Sequence, residues 1–281
     1  KTVSRSDTNY ADILHELAYT NYLDSNYAAS GQYAKEGLKM FPEKASEWYM
    51  LLGNAADAAE KREEAISWYD KTLQLNPYDY FTWFNKGIAL YNADRADDAM
   101  ECFKKAVLIY PYHASSHFFM GVICAEKGQL PQAMLSFTTN LLMNPENRYA
   151  KRVVSYLSDI AKMTDEMSKN AASVKESSTD DFAMQQEIII SKAALDTRYK
   201  LLTDLEDPIT RQLQVLLEKL EYNSADKGFW MQYYVPYYIK VFKEGKYNTL
   251  ANYIFSGLEI KSVQAYMKRN DKEVAAAIAD A

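Results

Sequence analysis

The chain has 281 residues, and its 32 basic and 38 acidic side chains give a net charge of -6. With 48% hydrophobic and 25% charged residues but only nine glycines and seven prolines, the composition excludes collagen-like and disordered chains. It also disfavours an all-β sandwich, which needs frequent turns, and favours long helices. Because the sequence has no cluster of lysine and arginine, nucleic acid is not a predicted partner.

A spacing of 34 residues organises the first half of the chain. Glycine, alanine, an aromatic residue, an aliphatic residue and proline each recur at this period. The recurring positions are Gly53, Gly87 and Gly121, then Ala65, Ala99 and Ala133, then Tyr69, Phe103 and Phe137, then Leu73, Val107 and Leu141, and finally Pro77, Pro111 and Pro145. This pattern resembles the tetratricopeptide repeat, a unit of two helices. The resemblance covers about residues 8–167 and implies an all-α fold, a right-handed α-solenoid of helix-turn-helix repeats.

The recurring residues have predicted structural roles. Glycine and alanine let the first helix of each repeat (helix A) and the second (helix B) approach closely, and the aromatic side chain fills the space between them. Proline ends helix B. The first repeat is degenerate, with Ala18 in the position of the glycine. The predicted repeats lie at about residues 11–45, 46–79, 80–113 and 114–147, with a capping helix at 148–167, so that the repeat domain is 1–167.

The second half of the chain has no repeat. Residues 168–181 contain almost no large apolar side chain and are predicted to be a linker. Residues 182–281 are predicted to form a separate C-terminal helical domain, to which the family resemblance does not extend. Apolar spacing and the helix-start signal Asp207-Pro208 predict helices over 182–205, from 208, and over 226–244, 247–256, 260–269 and 272–279.

The resemblance also implies a binding surface, because in tetratricopeptide proteins helix A side chains line a concave groove in which extended peptides commonly lie. Carried over to this sequence, the candidate groove residues are Tyr19, Tyr22, Met50, Asn54, Phe81, Phe84, Asn85, Tyr91, Phe118, Tyr149, Arg152 and Tyr156. Corresponding positions also include Asp12, His15, Glu47, Asp57, Ile88, Ser115, Val122, Ala125 and Asp159. The face is aromatic rather than basic, so we expect something to cover it. Two covers remain open: the second domain or a symmetry mate, and an apolar or aromatic peptide segment of another protein.

Some family members grip an acidic chain terminus with a carboxylate clamp of asparagines and lysines. Asn54 and Asn85 occupy two of the matching positions, but Met50 and Ser115 stand where the clamp has lysine. An acidic terminus is therefore not the predicted ligand.

A dense aromatic run follows in the C-terminal region, at residues 229–238. Trp230, Tyr234 and Tyr238 are spaced one helical turn apart, which is typical of a buried helix face. A secondary docking surface made by the same three residues is the alternative, because tyrosine tolerates partial exposure.

The sequence offers little for catalysis. It has no G-x-S-x-G, P-loop or G-x-G-x-x-G pattern. His113 and His117 lie one helical turn apart without an HExxH pattern, so no metal site and no cofactor are predicted. Cys102 and Cys124 are predicted to be buried thiols. The sequence favours a non-enzymatic scaffold for a protein or peptide partner, with a ligand-binding or enzymatic domain at 182–281 as the alternative.

No stretch is long and apolar enough for a membrane span, and the mean hydropathy is -0.39. The sequence begins at Lys1 rather than at methionine and is rich in tyrosine. These features favour an exported or periplasmic bacterial protein over a cytoplasmic one. The sequence carries no signal for the oligomeric state.

Overall fold

The computed structural model describes residues 9–172, 174 and 179–279. These residues form seventeen α-helices and two short 3₁₀ helices, at Pro42–Lys44 and Ala193–Leu195, and contain no strand. The predicted all-α fold class is confirmed. Five residues of the predicted linker, 173 and 175–178, lie outside the described part of the chain.

The chain divides into two compact units, Lys1–Pro111 (unit 1) and Tyr112–Ala281 (unit 2). The helices of unit 1 are α1 Tyr10–Leu23, α2 Tyr27–Met40, α3 Ala45–Ala58, α4 Arg62–Leu75, α5 Tyr80–Asn92 and α6 Ala96–Ile109. The helices of unit 2 are α7 Ala114–Glu126, α8 Leu130–Met143, α9 Ala150–Lys162, α10 Asp165–Ala171, α11 Ala183–Ser191, α12 Pro208–Glu218, α13 Phe229–Tyr233, α14 Val235–Lys243, α15 Tyr247–Ile254, α16 Lys261–Arg269 and α17 Asp271–Ala279.

The helices of unit 1 form three consecutive pairs, α1 with α2, α3 with α4 and α5 with α6. The first helices of successive pairs are also neighbours, since α1 contacts α3 and α3 contacts α5. Helices α1, α3 and α5 therefore make one layer. This arrangement is the one that the repeat pattern predicts, and it places the helix A side chains of unit 1 along a shared face.

The repeat glycines hold helix A against an aromatic ring of helix B, as predicted. A Cβ added to any of them would enter the ring, so alanine is too large at these positions. The distance from that Cβ to the nearest ring carbon would be 2.5 Å for Gly53 against Tyr69, 2.6 Å for Gly87 against Phe103, and 2.6 Å for Gly121 against Phe137. Each repeat proline follows its helix B by two residues, which confirms that prediction as well.

The turn between the two helices of a repeat contains one residue in the left-handed region. These residues are Ser25, Glu60 and Asp94 in unit 1, with φ of 61°, 60° and 58°, and Gly128 in unit 2, with φ of 71°. Only the last is the residue type that favours this conformation. The other three turns therefore carry backbone strain that the repeat geometry imposes.

Helix α8 is the most enclosed element of unit 2, because every residue from Leu130 to Leu142 is buried. Helices α7, α9, α11 and α15 all contact it. The C-terminal helices thus pack on the fourth repeat pair, and the division between units falls at Pro111 rather than at the predicted linker over residues 168–181. The independent folding of residues 1–167 stays a prediction.

The helices of the C-terminal region follow the predicted ones with two differences. Helix α11 ends at Ser191 instead of continuing to residue 205, because Lys192 adopts the left-handed region with φ of 56°. The predicted helix over 226–244 is shorter and is divided at Tyr234 into α13 and α14. The predicted start at Asp207 is confirmed, since its side chain accepts hydrogen bonds from the backbone N–H groups of Ile209 and Thr210.

Candidate functional site

The predicted groove residues of unit 1 lie on the layer made by α1, α3 and α5. We call this surface the unit 1 groove, and its members are Tyr19, Tyr22, Met50, Asn54, Asp57, Phe81, Asn85 and Tyr91. Two of its residues are exposed, Tyr19 at 46% and Phe81 at 43%. The remaining members are partly buried. The surface therefore carries exposed rings on regular helices.

Phe84 does not belong to this surface. It is 7% exposed, and its ring packs on Phe103 with 5.8 Å between the centroids. The predicted binding role of Phe84 is wrong, because a side chain on helix A at this position turns toward helix B and fills the core of the repeat.

Two asparagines of the unit 1 groove are engaged with each other. The Oδ1 atom of Asn54 accepts hydrogen bonds from Tyr69 Oη, at 2.9 Å, and from Asn85 Nδ2, at 3.0 Å. The amide oxygen of Asn54 is thus saturated, and one donor of Asn85 is used. These contacts give both asparagines a structural role.

Asp57 stands beside these asparagines in an unfavourable environment. Its Oδ1 atom is buried and has no hydrogen-bond partner among the described residues. Burial raises the pKa of the Asp57 carboxyl, while the nearby Arg62 lowers it. Burial, followed by Tyr27 and then Asp57, raises the pKa of Tyr22, so the tyrosine hydroxyls and the carboxylate lie within electrostatic reach of one another.

In unit 2 the predicted groove residues pack against each other. The rings of Phe118 and Tyr149 stack in parallel, with centroids 4.1 Å apart and an interplanar angle of 6°. Tyr156 stacks on Phe137 at 5.1 Å, and the Arg152 guanidinium lies 5.3 Å from the ring centre of Phe118. Phe118 is 1% exposed, so the prediction that it contacts a partner is wrong. Arg152 is exposed, while Tyr149 and Tyr156 are partly buried.

The aromatic run of the C-terminal region is core rather than a docking surface. Trp230, Tyr234 and Tyr238 are between 0% and 5% exposed. Their polar atoms are satisfied inside unit 2: Trp230 Nε1 donates to Ser136 Oγ at 3.0 Å, Tyr234 Oη bonds His117 Nδ1 at 2.6 Å, and Tyr238 Oη donates to the Leu135 carbonyl at 3.1 Å. The docking interpretation of these residues is wrong, because the tyrosine hydroxyls reach partners on α7 and α8.

The histidines and cysteines have structural environments. Burial, together with Arg148, lowers the pKa of His113 to about 4, and its Nδ1 atom lies 2.8 Å from Ser116 Oγ. Burial raises the pKa of Cys102 to about 11, and Cys124 is buried as well. Within the described ranges, no group of three His, Cys, Asp or Glu side chains is placed to hold a metal ion. No described helix is long and apolar enough to cross a bilayer.

Unit 1 also has a cleft that could not be predicted from the sequence. A cleft of about 580 Å³ opens beside α2 and α3, lined by Tyr27, Gln32, Lys35, Ala56 and Lys61 among others. Its lining also includes small side chains at the C-terminal end of α3 and just beyond it, among them Ala55 and Ala59. Small residues leave space without creating an apolar or charged motif, so the sequence gives no sign of the cleft.

Consecutive helix pairs, each with a glycine packed on an aromatic ring, are typical of helical repeat proteins. Comparison with family models identifies the type of repeat. Models described as "Tetratricopeptide repeat" match residues 16–80 and 80–113. Residues 16–113 are therefore tetratricopeptide repeats, as the sequence pattern indicates. Repeats of this family support a role as a protein-interaction scaffold.

Solved structures with partial similarity include two of MamA. The MamA RS-1 ArsTM double mutant is 18% identical in sequence, with 58% of this chain and 89% of that chain covered and a TM-score of 0.47. The P212121 form of MamA AMB-1 is 19% identical, with 53% and 82% covered and a TM-score of 0.42. Comparison with curated proteins gave no match.

Proposed function

We propose that this protein is a non-enzymatic scaffold, and that the unit 1 groove binds an extended peptide segment of another protein through apolar or aromatic side chains. The observation that carries the proposal is the exposure of Tyr19 and Phe81 on the layer of helices α1, α3 and α5. Exposed rings are favoured binding anchors, because they bury a large apolar area and lose little conformational entropy when a partner covers them.

The rigidity of the surface supports the same proposal. Groove side chains project from three packed helices rather than from loops, and the hydrogen bonds from Tyr69 and Asn85 to Asn54 fix the centre of the face. A surface that is already ordered loses less entropy on binding than a mobile one. An extended segment that lies across α1, α3 and α5 would contact rings of both outer helices.

The proposal is tested with a random peptide library displayed on phage, selected against the full chain. Selected peptides are resynthesised with a fluorescent label, and their dissociation constants are measured by fluorescence polarisation. The double variant Tyr19→Ala/Phe81→Ala should weaken binding by about tenfold or more, because it removes two ring anchors. Phe84→Ala is unsuitable here, since Phe84 is part of the core.

Tyr78→Ala is the matched control. Tyr78 is 79% exposed on the loop after α4, so its variant removes a still more accessible ring outside the groove. It should bind the selected peptides like the parent chain, and both variants should keep the helical circular dichroism signal. Failure to select any peptide, or equal binding by the double variant, would contradict the proposal.

A further inference from the structure

We infer that the peptide segment bound in the unit 1 groove carries a lysine or arginine side chain, which Asp57 receives. The inference rests on the proposed function, because it names the partner chemistry of the same groove. It starts from the Asp57 carboxylate, which has a buried oxygen without a hydrogen-bond donor among the described residues. The charges and aromatic rings around that carboxylate support it.

Asp57 is the groove residue with an unsatisfied hydrogen-bond acceptor. Its Oδ1 atom is enclosed yet has no hydrogen-bond donor among the described residues. Buried polar atoms are nearly always paired, and an unpaired carboxylate oxygen is particularly unfavourable. The side chain is partly exposed, and the final torsion of an aspartate is soft, so a rotation can turn the carboxylate toward the open face.

The position of Asp57 along its helix adds to the strain. It is the second-last residue of α3, where the partial negative charge of the helix terminus disfavours a carboxylate. Arg62 is close enough to lower the pKa of Asp57, but its Nε atom donates to the Asn92 carbonyl at 3.0 Å. A cation supplied by a partner would offset both the missing donor and the helix charge.

Aromatic rings stand beside this carboxylate. Tyr22 lies within electrostatic reach of Asp57 and of Tyr19, and its ring centre is 5.9 Å from that of Tyr27. Tyrosine rings attract a lysine or arginine cation placed over their faces. A basic side chain that enters here gains a charged hydrogen bond and a ring contact together.

The charge balance of the groove selects the same partner. The helix A positions predicted to face the groove in unit 1 include three carboxylates, at Asp12, Glu47 and Asp57, and no lysine or arginine. Lys44 lies 3.0 Å from Asp12 and also within electrostatic reach of Glu47, so Asp57 is the carboxylate of this set that remains for a partner's cation. An acidic peptide would be repelled, whereas a basic one is complementary.

The selected peptides described above provide the test. The parent chain should select peptides in which lysine or arginine is enriched at one fixed position beside apolar residues. Replacing that basic residue by norleucine in a resynthesised peptide, or using the variant Asp57→Asn, should each weaken binding by about tenfold, and the two changes together should weaken it little further. Binding should also weaken as salt concentration rises.

Glu63→Gln is the matched control, because it removes one carboxylate from α4, where Glu63 is exposed and contacts Arg95 rather than the groove. It should leave binding unchanged. The variant Asp57→Lys supplies a second test: it should reject the basic peptides and regain binding when the peptide's basic residue is replaced by glutamate.

Peptides that bind without an enriched basic position, or that bind Asp57→Asn as tightly as the parent chain, would overturn this inference and leave the proposed function standing. A selection that yields no peptide at all would overturn both. Additive losses from the peptide change and from Asp57→Asn would also contradict the inference, because the two groups would then not act on each other.

Discussion

The hydroxyl of Tyr69 donates a hydrogen bond of 2.9 Å to the side-chain oxygen of Asn54. Tyr69 is the ring that packs on Gly53 in the core of the second repeat, and Asn54 is the next residue of α3. A buried packing residue and a groove residue are thus joined directly. The position of Asn54 on the unit 1 groove therefore depends on a side chain buried in the core of the repeat.

Tyr69→Phe should lower the free energy of unfolding by about 1 kcal/mol, because it removes this hydrogen bond and keeps the ring. The third and fourth repeats carry phenylalanine at the equivalent positions, Phe103 and Phe137, so the variant ring should fit. Urea unfolding followed by circular dichroism measures the change. A loss above about 3 kcal/mol would indicate disturbed packing instead.

Asp57→Asn should stabilise the unliganded protein by about 0.3–1 kcal/mol at pH 7, since it removes a charge at the end of α3. Burial raises the pKa of the native carboxyl, so the charged form destabilises the fold. As pH falls through this raised pKa, the native carboxyl takes up its proton and the penalty disappears. The difference in Tm between variant and parent should therefore be present at pH 7 and shrink toward pH 4. A variant less stable than the parent at pH 7 would contradict this account.

Glu60→Gly should raise the free energy of unfolding by about 0.5–1 kcal/mol. Glu60 has φ of 60° in the turn between α3 and α4, where glycine avoids a steric penalty that outweighs its greater chain entropy. Glu63→Gly is the reference, because glycine in the first turn of α4 gains no relief of strain and loses a carboxylate that favours the helix N-terminus, so it should lower stability by about 0.5–1 kcal/mol. Thermal unfolding of both variants measures the contrast; a loss of stability in Glu60→Gly would count against the strain.

Truncation distinguishes the two possible divisions of the chain. A fragment of residues 1–113 should stay soluble and unfold cooperatively, because it keeps three complete helix pairs. A fragment of residues 1–167 should aggregate, since it exposes the side of α8 that α11 and α15 cover. Analytical size-exclusion chromatography compares them with the intact chain. A monomeric and cooperative 1–167 fragment would support the boundary predicted at residues 168–181.

The repeat framework could be predicted because its contacts are local and periodic. Gly87 and Phe103 lie within one unit of 34 residues, and their spacing appears three times in the sequence. The strained turns could not be predicted in the same way. Glu60 is not a residue type that indicates a left-handed conformation, and the geometry of the surrounding helix pair imposes it.

The groove was predicted less completely than the fold. A family position identifies a helix face, but it does not say whether a ring at the edge of that face turns outward, as Phe81 does, or inward, as Phe84 does. A signal for the C-terminal packing was present in the sequence. Helix α8 contains no charged residue, whereas α4 and α6 do, and an uncharged helix is typically enclosed on all sides.

The contact between repeat glycine and aromatic ring has a consequence for how the length of this protein can change. Each glycine and its aromatic ring lie within one repeat. A copy of 34 residues that is added or deleted at a proline such as Pro77 therefore includes both members of the contact. An insertion between Gly53 and Tyr69, by contrast, would separate the ring from its glycine. The chain can therefore be extended in whole repeats, which makes residues 46–113 a unit for building longer variants with more helix A surface.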